Sequence, residues 1–399
     1  MAPTPDQIKD FNAGRNPQLL LVKYQRMYDS MYRFFRATSH LFYADLRQYF
    51  DSTHDNTRVW GSGDLHLQNF GTYKAENRLV YFDLNDFDDA LLLPATWELA
   101  RMLVSIHVAA EDMGLSKVES DSLVAAFLKS YVGTLLVGKP IDIDARAAKG
   151  MLKAFMERLQ SLKRKTFIKA RTLKVGEQRL LDIDQKKTLL LPESKKRLLE
   201  SWLQEWPQSH PNSFFDHIID MGIRVTGTAS LGWERYVVLA ESPKQKKYLF
   251  DLKEARPSTL AQFLHIAQPQ WRTEAERVVA IQGRVNNVLP TLLKAITLEN
   301  QSFVLRELQP ESDKFDFQTW NGQLADLEEL IGTMATITAS GHLRSAGRQG
   351  SSIADELIEF SQKPLWQRAL LDYCAYYPNK IRQDYVAFCE ALDDGFFEG

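Results

Sequence analysis

The segment GSGDLHLQNFG sets Asp64, His66 and Asn69 between glycines, so a carboxylate, an imidazole and an amide share one tightly turning stretch. Asp83, fourteen residues beyond Asn69, opens a second acidic segment, FDLNDFDD, which also supplies Asp86, Asp88 and Asp89. Carboxylate and amide oxygens are hard donors and suit magnesium better than a soft-ligand metal. Two chemistries need such a set. In phosphoryl transfer one carboxylate orients the attacking hydroxyl while an Asn and another Asp hold magnesium against the phosphate oxygens; in metal-assisted hydrolysis the same groups hold metal around a water. The plainer alternative is a surface calcium-like site or a capped acidic turn, which does not account for a second acidic loop behind a strand. If that strand ends at Asp83, alternation does not decide which later carboxylate faces Asp64.

A second pattern lies downstream. GTASLGWERYVVL places Gly227, Thr228, Ser230 and Gly232 between two β-type runs, a small-residue turn able to bring backbone amides close to phosphate oxygens. No G-K-S/T follows, so it is not a Walker A loop. YLFDLKEA then sets Lys253 inside the next strand-like run, where a kinase carries the lysine that contacts nucleotide phosphates. Asp251 and Glu254 share that run, so a charge there is unremarkable alone; loop, strand and lysine in this order carry the reading. A lysine in this role needs a helix-borne carboxylate. RTEAERVVAIQGRV offers Glu276 first and Glu274 second, pointing in different directions.

GDLHLQNF, VYFDLNDFD and PATWELARML together resemble the core of kinase-like phosphotransferases of the aminoglycoside and choline type, which carry G-D-x-H-x-x-N, a strand, an Asp, and a helix with D-L-A or E-L-A. More closely, the chain looks like the bacterial family of unknown function DUF2252. The resemblance implies that Asp64 is the catalytic base with His66 beside it, and that Asn69 and Asp83 hold metal, with Asp86 and Asp88 as alternatives or partners of Asp83. It implies ATP and magnesium as cofactors, and a small-molecule or protein hydroxyl as acceptor. The phosphotransferase pattern often has His two residues before the base, where this chain has Ser62. Because the loop at Asp64 precedes the glycine loop, the implied fold is α+β, protein-kinase-like and two-lobed, in circularly permuted order. Such rewiring is tolerated when the new joins fall in exposed loops. A noncatalytic nucleotide-binding regulator, a nucleotidyltransferase and a metal-dependent phosphohydrolase are the competing functions.

These groups need elements to position them. Residues 17–49 read mostly as helix, with apolar and aromatic residues three and four apart. LVYFDL, 79–84, reads as a strand, and Pro94 sits near the start of an apolar helix, ATWELARMLVSIHVAAEDMG. From 117 to 205 the pattern is helical and increasingly basic; the run SLKRKTFIKART, 161–172, reads as a solvated face. Strand-like runs start near 222, a helix is expected over 271–285, another strand over 302–308, and helices beyond 324. The expected organisation is a helical lobe with the catalytic and metal loops over 1–215, a β-rich nucleotide lobe over 216–310, and a hinge with returning helices over 311–399. His107 reads as a packing histidine, while His342 and Arg344 in ASGHLRSAG, at a helix end followed by a glycine turn, read first as local structure and second as contributors to a cleft.

Composition excludes several classes. The 399 residues are 44% apolar and 25% charged, as in an ordinary globular protein. A net charge of -2 gives no global attraction for nucleic acid. Two cysteines, Cys374 and Cys389, form neither a zinc signature nor a disulfide framework. The start, MAPTPDQIKDFNAGRN, has no apolar leader, and no long uncharged apolar run follows, so a cytoplasmic protein without a membrane span is expected.

Overall fold

The computed structural model describes residues 2–50, 56–75, 77, 79–161, 163–205, 217–308, 317, 320 and 322–398. The architecture is α+β. Its helical part is built around Ala95–Asp112, a helix buried on nearly every face from Ala95 to Ala110. Pro94 caps that helix, its fixed φ matching the approach to a first turn. Lys117–Val137 and the long Pro364–Asp393 lie against it, and Leu324–Arg344 packs on Lys117–Val137, all within one continuous apolar core. Lys117–Val137 starts at a capping box between Ser116 and Glu119 and ends on Gly138 at φ 67°, the left-handed stop that glycine tolerates.

The expected helical run over 17–49 is three helices, Pro17–Tyr28, Met31–Ala37 and Ser39–Tyr49. The break at Ser30 is a side-chain cap: its hydroxyl accepts the Arg33 N–H, so the chain restarts a helix instead of continuing one.

The β-rich part is a six-stranded antiparallel sheet, in the order Lys294–Leu298, Gln301–Glu307, Lys247–Glu254, Arg235–Glu241, His217–Arg224, Thr188–Leu190. The expected domain boundaries near 215 and 310 fall outside the described residues. The sheet nevertheless recruits chain from before 215: Thr188–Leu190 is its edge strand, and Leu199 and Leu203 of Glu193–Glu205 pack on one face with Phe250 and Phe303. Ile168 and Leu181 cover part of the other face beside Val237 and Leu249. The basic run at 161–172 thus has an apolar inner side that sequence charge concealed. Conversely, Glu274–Val285 lies inside the 216–310 span yet places Ala275, Val278, Ile281 and Val285 in the helical core.

Two small sheets carry the acidic loops. Phe70–Lys74 pairs with Val80–Leu84, and Arg58–Gly61 pairs with Leu91–Pro94, so the loop bearing Asp64 and the loop NDFDD leave adjacent strand ends. Among the described residues, one helix, Lys117–Val137, is long and apolar enough to cross a membrane; its Leu123, Val124, Phe127, Leu128 and Tyr131 are buried in the helical core.

Candidate active site

The loop carrying Asp64 is fixed by a residue from the central helix. Glu98, fully buried, accepts the Ser62 N–H at 2.8 Å and the Ser62 hydroxyl at 3.0 Å on one oxygen, and the Gly63 N–H at 3.1 Å on the other. Ser62 therefore supports the backbone ahead of Asp64 through a carboxylate of the ELA segment. Burial pushes the Glu98 carboxyl up to about 7, while the donors from Ser62 and Gly63 oppose the rise. Gly63 stands at φ 79°, and a Cβ there would lie 1.9 Å from the Asp89 carbonyl oxygen. A Gly63→Ala protein combines a disfavoured backbone with a steric overlap, and it is expected to lose about 2 kcal/mol or more in denaturant unfolding.

Asp64 forms a 2.8 Å ion pair through Oδ1 with Nε of Arg101, also from the central helix. Arg101 is itself buried, donating to the Phe35 carbonyl at 2.8 Å and lying 3.6 Å from the centre of the Phe35 ring. Oδ2 of Asp64 has no hydrogen-bond partner among the described residues. His66 accepts the Gln68 N–H on Nδ1, and Arg36 Nε lies 3.2 Å from its Nε2, so it is a braced part of the same loop.

Asn69 ties the two acidic loops together. Its Nδ2 donates to the Asp64 carbonyl at 2.9 Å and its Oδ1 accepts the Asp86 N–H at 3.1 Å. The loop NDFDD is then seized from the sheet side. Arg277 of Glu274–Val285 donates to the Asp88 and Ala90 carbonyls and to that of Arg256. The Thr259 N–H donates to Asp89 at 2.6 Å, and Arg306 donates to Asn85 at 3.1 Å. Burial, with Asp64 adding to it, raises the Asp89 carboxyl to about 6.

The two acidic loops open onto a cavity of about 710 Å3 between the helical part and the sheet, with Glu98, Arg101 and Arg277 bracing them from behind its lining. Asp64, His66 and Asn69 line it from one side, with Asp86, Asp88 and Asp89; Gly227, Thr228, Ser230 and Lys253 line it from the other. Lys253 projects from the middle of the sheet and pairs with Asp86 at 3.6 Å and more closely with Asp88.

Three expected site residues are placed elsewhere. Asp83 does not line the cavity: it sits within its strand, opposite Gly71, under the influence of Arg344 and Asp142, and burial pushes it up to about 7. The reason is alternation; the chain turns after Leu84, and only from Asn85 onward does it reach the cavity. Glu276 is not the partner of Lys253. It lies in the first turn of its helix, where its carboxylate accepts the Arg272 N–H and its own N–H donates to Thr273, an arrangement that caps the helix. Gly232 also lies off the cavity; at φ 94° it closes the glycine turn against the Arg15 side chain.

Sequence reading missed what holds that turn. Its carbonyl oxygens are engaged by N-terminal cations: Arg15, between the helices Thr4–Phe11 and Pro17–Tyr28, reaches those of Ala229 and Leu231 at 2.7 and 2.8 Å, and from the second helix Lys23 reaches that of Ala229 at 3.0 Å and Arg26 that of Gly227. The N–H groups of Gly227, Thr228, Ala229 and Ser230 donate to no acceptor among the described residues. His342, by contrast, has the local structural role expected first and does not line the cavity: it is buried and 2.8 Å from the Tyr131 hydroxyl, and burial lowers it to about 3.

Fold and site define an α+β protein whose cavity pairs an acidic double loop with a strand-borne lysine and a glycine turn. The chain belongs to the family described as "Uncharacterized protein conserved in bacteria (DUF2252)", which it matches over residues 15–391. No curated protein and no solved structure matches it.

Proposed function

We propose that this protein is an ATP- and magnesium-dependent phosphotransferase of kinase-like design with its two lobes in permuted order, acting in the cytoplasm on a small-molecule or protein hydroxyl. The observation that carries the reading is the meeting of Lys253 with Asp86 and Asp88 across the cavity, beside the glycine turn. A lysine poised against paired carboxylates, with free backbone donors adjacent, suits a polyphosphate and its metal.

The donor set fits a hard cation. Asp86 and Asp88 supply carboxylate oxygens, and the amide oxygen of Asn69, which already accepts one hydrogen bond, retains a second lone pair. When bound, magnesium would neutralise phosphate charge and polarise the phosphoryl group. In this reading Asp86 and Asp88, not Asp83, are the metal carboxylates. Lys253 exchanges Asp88 for phosphate oxygens, and the N–H groups of Gly227 to Ser230 cradle the same chain. Asp64 orients the acceptor hydroxyl and receives its proton on Oδ2, while Arg101 fixes the other oxygen.

Calorimetric titration with ATP, with and without magnesium, tests this. Saturable, magnesium-dependent binding is expected, weakened roughly tenfold or more by Lys253→Ala and by Asp86→Ala. Absence of ATP binding in folded protein at several magnesium concentrations would sink the proposal and leave the acidic loops to metal-assisted hydrolysis or to a scaffold.

A further inference from the structure

Next to Lys253, on the same side of the sheet, three arginines share a single carboxylate. Asp251, buried to 1% exposure, pairs with Arg224 at 2.8 Å, Arg235 at 2.6 Å and Arg306 at 3.4 Å. The register explains the convergence: Asp251 lies opposite Arg306 on one neighbouring strand, Lys253 lies opposite Arg235 on the other, and residues two apart share a face. Burial would raise the Asp251 carboxyl, but Arg224, Arg235 and Arg306 together hold it well below its ordinary range.

The cluster is not electrically closed. Arg224, Arg235, Arg306 and the neighbouring Lys253 face three carboxylates, Asp251, Asp86 and Asp88, which leaves one positive charge in excess, and the further anchor of Arg306 is the uncharged Asn85. Arg224 Nη2, Arg235 Nη1 and Arg306 Nη2 have no acceptor among the described residues, and they are not among the buried polar atoms left without a partner. All three arginines line the cavity. Guanidinium donors held in fixed orientation at a partly desolvated surface match the oxygens of a tetrahedral phosphoryl dianion.

We propose that Arg224, Arg235 and Arg306, organised by Asp251, form a binding site for a dianionic phosphoryl group on the sheet side of Lys253. The ligand is the terminal phosphate of the nucleotide or a separate phosphate; both present the same chemistry. The proposal rests on the nucleotide reading only for the first source. Asp251, two residues before Lys253 on the same face, places this ion cluster beside the lysine, where the end of a polyphosphate chain held by Lys253 would meet the arginines.

Equilibrium binding of inorganic phosphate, pyrophosphate, AMP and ATP to the full chain tests the site, with Arg224→Gln and Arg306→Gln as variants. Each leaves Asp251 with two arginines, and thermal unfolding checks that the fold is retained; Arg306, the most exposed and most distant of the three, is the variant least coupled to folding. The expected result is pyrophosphate or phosphate binding that weakens roughly tenfold or more in both variants. If ATP weakens equally while AMP does not, the nucleotide supplies the phosphate. If phosphate binds without competing with ATP, the site takes a separate ligand. Unchanged binding of every probe in both folded variants overturns the inference, as does failure of phosphate, pyrophosphate and ATP to bind wild-type protein. ATP binding that needs Lys253 but not the arginines overturns this inference alone and leaves the proposed function standing.

Discussion

On the proposed function, Asp64→Asn protein is expected to retain the wild-type affinity for ATP and magnesium and, with water as the phosphoryl acceptor, to form ADP and phosphate about 10²–10⁴-fold more slowly. Asn is nearly isosteric, and its amide oxygen can still accept from Arg101 Nε, so the loop geometry survives, held by Glu98, by Arg101 and by the Tyr43 hydroxyl, which donates to the Gly63 carbonyl at 2.7 Å. What disappears is the negative charge and the capacity to take a proton. The comparison needs two readouts on one preparation, calorimetric ATP affinity and the rate of ADP formation. Equal rates for variant and wild type would remove Asp64 from the reaction, whatever the binding result.

Glu98→Ala is expected to be the most destabilising change at the site, costing about 3 kcal/mol or more, because it strands two buried N–H groups and a hydroxyl and leaves a void in the core. Glu98→Gln separates charge from shape. Its amide keeps the Ser62 contacts but turns a donor toward the Gly63 N–H. The folded-state carboxyl, at about 7, lies above the ordinary 4.5, so the native state binds more protons than the unfolded chain between these values. Stability from this group is therefore fully present below about pH 4.5 and is lost as pH rises through about 7. The stability of wild type relative to Glu98→Gln is expected to fall over that window in parallel denaturant titrations. A difference that is flat with pH would show that Ser62 and Gly63 hold Glu98 ionised throughout.

Much of this was legible in the sequence, and the failures have particular causes. The glycine-bounded stretch around Asp64 and the acidic segment after a strand were recognisable because small residues and clustered carboxylates are local signals. The choice between Asp83 and Asp86 was not, because it depends on where the strand stops: the ladder to Gly71 keeps Asp83 inside the sheet, while Asp86 is past the turn. Glu276 misled because an acidic residue in a first helical turn serves equally as a cap, and the true partners of Lys253 come from more than 160 residues earlier in the chain. Asp251 was noticed only as one more strand charge. Its spacing from Lys253 marked a shared face, but the arginines that give it meaning stand on neighbouring strands whose register the sequence does not state. Arg15, Lys23 and Arg26 carried no signal, since cations that bind carbonyl oxygens look like any amphipathic helix surface.

Those three cations bear on how quickly a ligand is captured. A glycine-containing turn left to itself samples many shapes, and arresting it on ligand arrival would cost conformational entropy. Here Arg15 and the second helix have already arrested it. Encounter with an anion therefore proceeds as docking onto a fixed surface, and the association rate should follow ionic strength and diffusion more than any loop-ordering step. Replacing Lys23 and Arg26 together by Ala would reverse this: the turn keeps its sequence but loses two of its three splints, and capture slows even though every residue lining the cavity is still present.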